Sequence, residues 1–124
     1  MVESEAKLDE ERPIIAGVIY NRLAIDMPLQ IDSTVQYALS TRNEVVTESD
    51  LEVDSPYNTY KSKGLPAGPI CNPGKASLLG ALNPEKHNYY YYVLKERGGS
   101  EHYFAENYED FLEAKAQYQA TFTS

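Results

Sequence analysis

Few residues in this chain can do chemistry, and most of those are carboxylates. Nineteen acids stand beside two histidines and one cysteine. Cys71 lies between Ile70 and Asn72, and a thiol nucleophile needs a nearby base. Nothing in the spacing ties His87 or His102 to it. The histidines sit in no HExxH frame and have no cysteine set at zinc spacing. There is no phosphate loop of the P-loop or dinucleotide type and no GxSxG elbow. What remains is general acid–base work by a carboxyl group. Most of the acids belong on a solvated surface, so one must be raised by its context. Glu3, in "VESEA" at 2–6, is followed by Ser4 and by a second acid, Glu5. To donate a proton near neutral pH, a glutamate must be lifted above its ordinary pKa of about 4.3. An apolar groove, or a neighbour such as Glu5, would lift it.

The elements that must position these residues are short. Residues 2–8 read as the end of a helix. Asp9 to Glu11 and Pro13 then open a second one, because a first-turn proline loses no hydrogen bond. Ile14, Ile15, Val18, Ile19 and Leu23 give it an apolar stripe at helical spacing, and Asp26-Met27-Pro28 stops it. "PLQ" is extended, and Asp32 or Ser33 caps a short helix through about Ser40. Residues 41–46 are a polar connector. Thr47 and Asp50 frame one helical turn. Residues 55–74 hold four of the seven prolines and three of the seven glycines, with Tyr57, Tyr60, Leu65 and Ile70 among them. That is an ordered loop and not a linker. "KASLLGALNP" is a short helix. "NYYYYVL" (88–94) is a strand that pairs through Gly98-Gly99 with "EHYFA" (101–105). Its tyrosines alternate faces. Asn107 caps a last amphipathic helix through about Gln119. The fold class is α+β: several short helices, a small antiparallel hairpin and a long Pro/Gly-rich loop, in one domain spanning 1–124.

The totals exclude some partners. The net charge of −8 argues against a nucleic-acid backbone and offers no polybasic patch for anionic lipid. No run approaches the roughly 18 apolar residues of a membrane span. Eleven tyrosines, three phenylalanines and no tryptophan suit core edges, and also sugar faces in a wet groove.

Taken in order, "VESEA", "ERPIIAGVIYNRL", "MPLQIDSTVQYAL", "DSPYNTYKSKGLPAGPICNPG", "ALNPEKHNYYYYV" and "HYFAENYEDFLEAK" resemble the YceG-like family over essentially the whole chain. The resemblance implies cleavage of peptidoglycan glycan strands between MurNAc and GlcNAc, leaving a 1,6-anhydroMurNAc end. It implies a parent enzyme held in the cytoplasmic membrane by one N-terminal helix, with its catalytic part outside the cytoplasm. A LysM-like subdomain would precede this segment. The family's catalytic glutamate aligns with Glu3. Gln30, Asp32 and Thr34 fall in the matching "LQ-D-TV" pattern, Asn58 and Tyr60 in "YNTY", and Asn72 in the loop that Pro66 and Gly68 shape. These are the expected substrate-contacting residues, each with a structural alternative such as a cap or a turn. No metal or cofactor is required. The hairpin departs from the family's Gly-His-x-Phe pattern by inserting Ser100 and Glu101, which leaves His102 as a strand histidine first. With the family's apolar residues upstream of Glu3 absent, reduced activity is the expectation for this chain alone. Two other readings remain: a peptidoglycan-binding module without chemistry, and a domain docking onto cell-wall synthesis proteins.

Overall fold

The protein is described here from a computed structural model covering residues 1–39, 46–96 and 98–121. The expected connector at 41–46 lies, save for Val46, outside the described residues. The order is α1 (Val2–Glu5), a 3-10 turn (Asp9–Glu11), α2 (Arg12–Ala24), α3 (Asp32–Leu39), a second 3-10 turn (Asp50–Glu52), α4 (Lys75–Leu82), β1 (Tyr91–Leu94), β2 (His102–Ala105) and α5 (Tyr108–Ala120). The α+β class is as the sequence indicates.

Helix α2 is the hub. Pro13 sits in its first turn, where its missing N–H costs nothing. Asp26 ends it in the left-handed region at φ 56°, a conformation that aspartate tolerates. Burial around α2 is wider than a single stripe. Ile15, Ala16, Gly17, Val18, Ile19 and Arg22 are all buried, because α1, α4 and residues 85–90 pack around it. Two glycines permit this closeness. A Cβ on Gly17 would meet Glu85 O at 2.4 Å and His87 Nε2 at 2.5 Å, and one on Gly80 would meet the α2 backbone at 3.1 Å. Val2, Ala6, Ile15, Ala16, Ile19, Leu29 and Ile31 form the core cluster.

Strand β1 starts later than its composition suggests. The Asn21 amide donates to the His87 and Tyr89 carbonyls, both at 2.9 Å, and Arg22 Nε donates to Tyr90 O at 2.6 Å. Those carbonyls are therefore bound to α2. The antiparallel register pairs Tyr91 with Ala105 and Tyr92 with Phe104. Tyr91 stacks on Phe111 of α5, while Tyr92 faces the core. Local capping follows the sequence: Thr47 and Asp50 exchange reciprocal bonds, and Asn107 Oδ1 accepts from Asp110 N at 2.8 Å.

His102 is a packed strand residue. Glu11 accepts from its backbone N at 2.9 Å and lies 2.8 Å from its Nδ1, with both residues buried. Glu11→Ala would leave these groups unpaired, at a cost of about 2–4 kcal/mol. Gly17→Ala would push residues 85–87 off α2, at about 1–3 kcal/mol. Urea denaturation curves should show both losses as lowered midpoints.

Candidate active site

The first turn of the chain carries two acids on opposite sides. Residues two apart on a helix do not share a face, and α1 displays this. Glu3 turns to the start of α4. Its Oε1 accepts from Gly74 N at 2.7 Å, and its Oε2 accepts from Arg12 Nη1 at 2.9 Å and from Ser77 Oγ at 3.1 Å. Arg12 is shared with Asp9 and with the Ser77 hydroxyl. The Gly74 N–H bond, then Ser77 and the Arg12 charge, hold the Glu3 carboxyl below its ordinary pKa, against a smaller desolvation effect. This corrects the expectation of a raised Glu3. A carboxylate that accepts from an amide, a hydroxyl and a guanidinium is stabilised as the anion.

Glu5 lies in the opposite environment. It is half-buried, and its Oε1 accepts from the Tyr92 hydroxyl at 2.7 Å. Desolvation raises its pKa, opposed by the Tyr92 bond. The Asp32 charge adds to the rise, while Ser33 and the α-amino group of Met1 lower it. Among the described residues Glu5 has no ion pair. Arg22 lies nearby, but its Nη1 donates to Leu29 O and its Nε to Tyr90 O. Tyr92 is pushed well above its usual range by burial and by the Glu5 charge, so it stays a donor. Sequence reasoning treated Glu5 only as a neighbour that tunes Glu3. The missed signal was spacing: an i, i+2 pair on a helix cannot serve one spot.

The other expected residues separate into rim and support. Asp32, exposed at the start of α3, accepts a hydrogen bond from the half-buried Tyr60 hydroxyl. Burial first, and Asp32 second, raise the Tyr60 pKa. Gln30 is exposed, with its backbone in the left-handed region at φ 52°. Asp32 and Tyr60 lie on the Glu5 side. Asn72 is exposed, two residues before the Gly74 amide that binds Glu3. Asn58 and Thr34 are corrected from substrate contacts to supports, since both are 0% exposed. Asn58 Nδ2 donates to Leu51 O and Val53 O, and its Oδ1 accepts from Tyr60 N. Thr34 Oγ1 donates to Ile31 O and lies 2.9 Å from Thr59 Oγ1, which accepts from Ile31 N. Their polar groups are used inside the protein.

The remaining nucleophile and base candidates are also occupied. His87 Nε2 lies 2.8 Å from Ile14 O, and its Nδ1 accepts from Tyr89 N. This fixes the Nε2–H tautomer, so both His87 ring nitrogens are engaged. Among the described residues, no group of three or more His, Cys, Asp or Glu could hold a metal ion.

The chain is 45% identical over 118 residues to an endolytic murein transglycosylase of Bacillus subtilis, covering 95% of this chain and 32% of that protein. It is 37% identical over 115 residues to an endolytic murein transglycosylase of Streptococcus pneumoniae, covering 89% of this chain and 21% of that protein. The chain thus spans a third or less of the curated relatives it matches. A crystal structure of a YceG-like protein from Listeria monocytogenes superposes with a TM-score of 0.85 at 49% identity, over 90% of this chain and 36% of that one. The profile of the YceG-like family matches residues 1–117, and the chain belongs to that family.

Proposed function

We propose that this chain is the catalytic segment of an endolytic murein transglycosylase, and that Glu5 is its acid and base. The observation that carries this reading is a half-buried carboxyl with a raised pKa, held by the Tyr92 hydroxyl with Asp32 and Tyr60 nearby. The protonated Glu5 carboxyl gives its proton to the glycosidic oxygen. The C1–O bond breaks, and its electron pair leaves with the GlcNAc hydroxyl. The C6 hydroxyl of the same MurNAc attacks C1 and returns its proton to the Glu5 carboxylate, closing the 1,6-anhydro ring. The nucleophile is intramolecular, so proximity replaces a positioned water, and one carboxyl serves both steps.

Glu3, the residue expected from sequence, takes a different part in this reading. As an anion it joins α1 to the N-terminus of α4 and to Arg12. That orients the turn from which Glu5 projects. The rest of the reading follows the family resemblance: a segment carried outside the cytoplasm by an anchored parent, acting on peptidoglycan strands. Among the described residues no helix is long and apolar enough to cross a membrane.

The test is a digest of purified sacculi, analysed by mass spectrometry for anhydro ends. The protein is assayed as this chain and as a version lengthened at its N-terminus to the span of the curated relatives. Glu5→Gln should cost at least about 10³-fold in product, yet melt no lower than the parent at pH 7. The substitution removes a carboxyl that is costly to ionise where it sits. Glu3→Gln should lower the melting temperature and cost less activity. The reverse ranking would return the acid role to Glu3, and an absence of anhydro ends from both lengths would refute the enzyme.

The pH dependence has a fixed sign. Glu5 acts in its protonated form and its folded pKa is raised. Cleavage should therefore persist above the ordinary glutamate range and fall as pH rises through the Glu5 value. Glu3, with a depressed folded pKa, contributes stability above its unfolded value and loses it as pH falls through the folded one. Melting curves of Glu3→Gln and the parent should therefore converge in acid.

A further inference from the structure

We propose that Asp32 is the second carboxylate of this site, anchored by the Tyr60 hydroxyl, and that its negative charge keeps the proton on Glu5 and stabilises the sugar cation as the glycosidic bond breaks. The inference rests on the reading of Glu5 given above. Three observations carry it. Asp32 is exposed, at the first turn of α3, and accepts from the half-buried Tyr60 hydroxyl. The bond satisfies the half-buried Tyr60 hydroxyl and holds the Asp32 carboxylate in one place on the rim. Tyr60 is itself held in place, because Asn58 Oδ1 accepts from its backbone N while the Asn58 amide is bound to the Leu51 and Val53 carbonyls. The third observation is where Asp32 sits. Ser33, next to it in the first turn of α3 and 9% exposed, lies close enough to the Glu5 carboxyl to act on it, so the start of α3 lies against Glu5.

The chemistry needs such a charge. Protonating the glycosidic oxygen leaves positive charge on C1 and the ring oxygen as the bond lengthens. A fixed anion nearby favours that state over the neutral substrate. The same anion opposes early ionisation of Glu5, which separates the two carboxyl groups into one acid and one anion. Glu5 is faced by Tyr92 of β1, by Asp32 and Ser33 of α3, by Tyr60 of the loop at 55–74, by Arg22 of α2 and by the α-amino group of Met1. Of these, Asp32 is the one anion, so removing it has a direction that no other neighbour mimics. Asp32 is a positioning residue toward Glu5 and a catalytic one toward the sugar.

The experiment has two readouts. Carbon-detected NMR follows the Glu5 side-chain carboxyl through a pH titration in the chain itself and in Asp32→Asn, Asp32→Glu and Tyr60→Phe. Sacculus digests across pH then use the lengthened protein with the same substitutions. Asp32→Asn should lower the Glu5 midpoint by on the order of one pH unit. The basic limb of its cleavage profile should move down by the same amount, with roughly 10²-fold less product at neutral pH. Asp32→Glu should restore the midpoint, and Tyr60→Phe should show a smaller shift of the same sign. Melting curves on all three report folding, and Tyr60→Phe and Asp32→Glu carry the test if Asp32→Asn does not fold. An unmoved Glu5 midpoint in Asp32→Asn, or in Tyr60→Phe if that variant must stand alone, overturns the role of Asp32 and leaves Glu5 as a lone acid. Anhydro ends absent from the unsubstituted lengthened protein overturn the enzyme reading, and with it the catalytic role of Asp32.

Discussion

A buried guanidinium has to be satisfied, and much of this structure is arranged around that requirement. Arg22, 5% exposed, projects from α2 into a space where an unpaired cation would cost several kcal/mol. Its Nη1 takes the Leu29 carbonyl just before α3, and its Nε takes the Tyr90 carbonyl just before β1. The rings of Tyr91 and Tyr92 lie 5.6 and 5.8 Å from its carbon, at cation–π range. One side chain thus ties the central helix to the approach of α3 and to the hairpin. Desolvation pulls its pKa down even so, which measures how dry the place is. The same dryness acts on Glu5 with the opposite sign for an acid. The arginine is committed to carbonyls, and Glu5 is left with a tyrosine hydroxyl instead of an ion pair.

That commitment explains how one short helix holds two glutamates in different states. The Glu3 side of α1 meets the first turn of α4, where the Gly74 N–H, the Ser77 hydroxyl and Arg12 converge on the carboxylate. Unpaired donors at a helix start favour an anion. The Glu5 side meets the Tyr92 hydroxyl, with Tyr60 and Ser33 nearby, in a drier place. Two acids of the same type, two residues apart, are separated in proton affinity by their surroundings alone.

Local rules made much of the fold readable. Pro13 at the start of α2, the Thr47–Asp50 exchange, the Asn107 cap and the alternation of Tyr91 and Tyr92 all depend on neighbours within a few residues. So does the ordered character of 55–74, whose Tyr57 and Tyr60 had to pack. What the sequence hid depended on partners far along the chain. Whether Glu3 or Glu5 is held as an anion is decided by Arg12, Gly74, Ser77 and Tyr92, and spacing within "VESEA" cannot report that. Asn58 and Thr34 look like sugar contacts by type, but neutral polar side chains serve equally well for tying a loop. Their burial follows from the Thr59 hydroxyl and the Leu51 and Val53 carbonyls reaching them. Strand β1 lost three residues to Asn21 and Arg22 because α2 side chains took the carbonyls first.

The backbone at Gln30 shows how the rim is held to this interior. A glutamine at φ 52° is strained, since its Cβ crowds the following carbonyl. Strain of that kind persists only where the surroundings over-determine it. Here they do: Leu29 and Ile31 on either side are fully buried, Leu29 O is taken by Arg22, Gln30 N donates to Thr59 O, and Ile31 N donates to Thr59 Oγ1. With both neighbours pointing inward, an ordinary extended residue could not reverse the chain fast enough to start α3 at Asp32. The left-handed turn does so, and it leaves the Gln30 side chain and the Asp32 carboxylate on the outside together. The rim is therefore the outer surface of the same bonds that neutralise Arg22, and the placement of Asp32 beside Glu5 follows from how the core is closed.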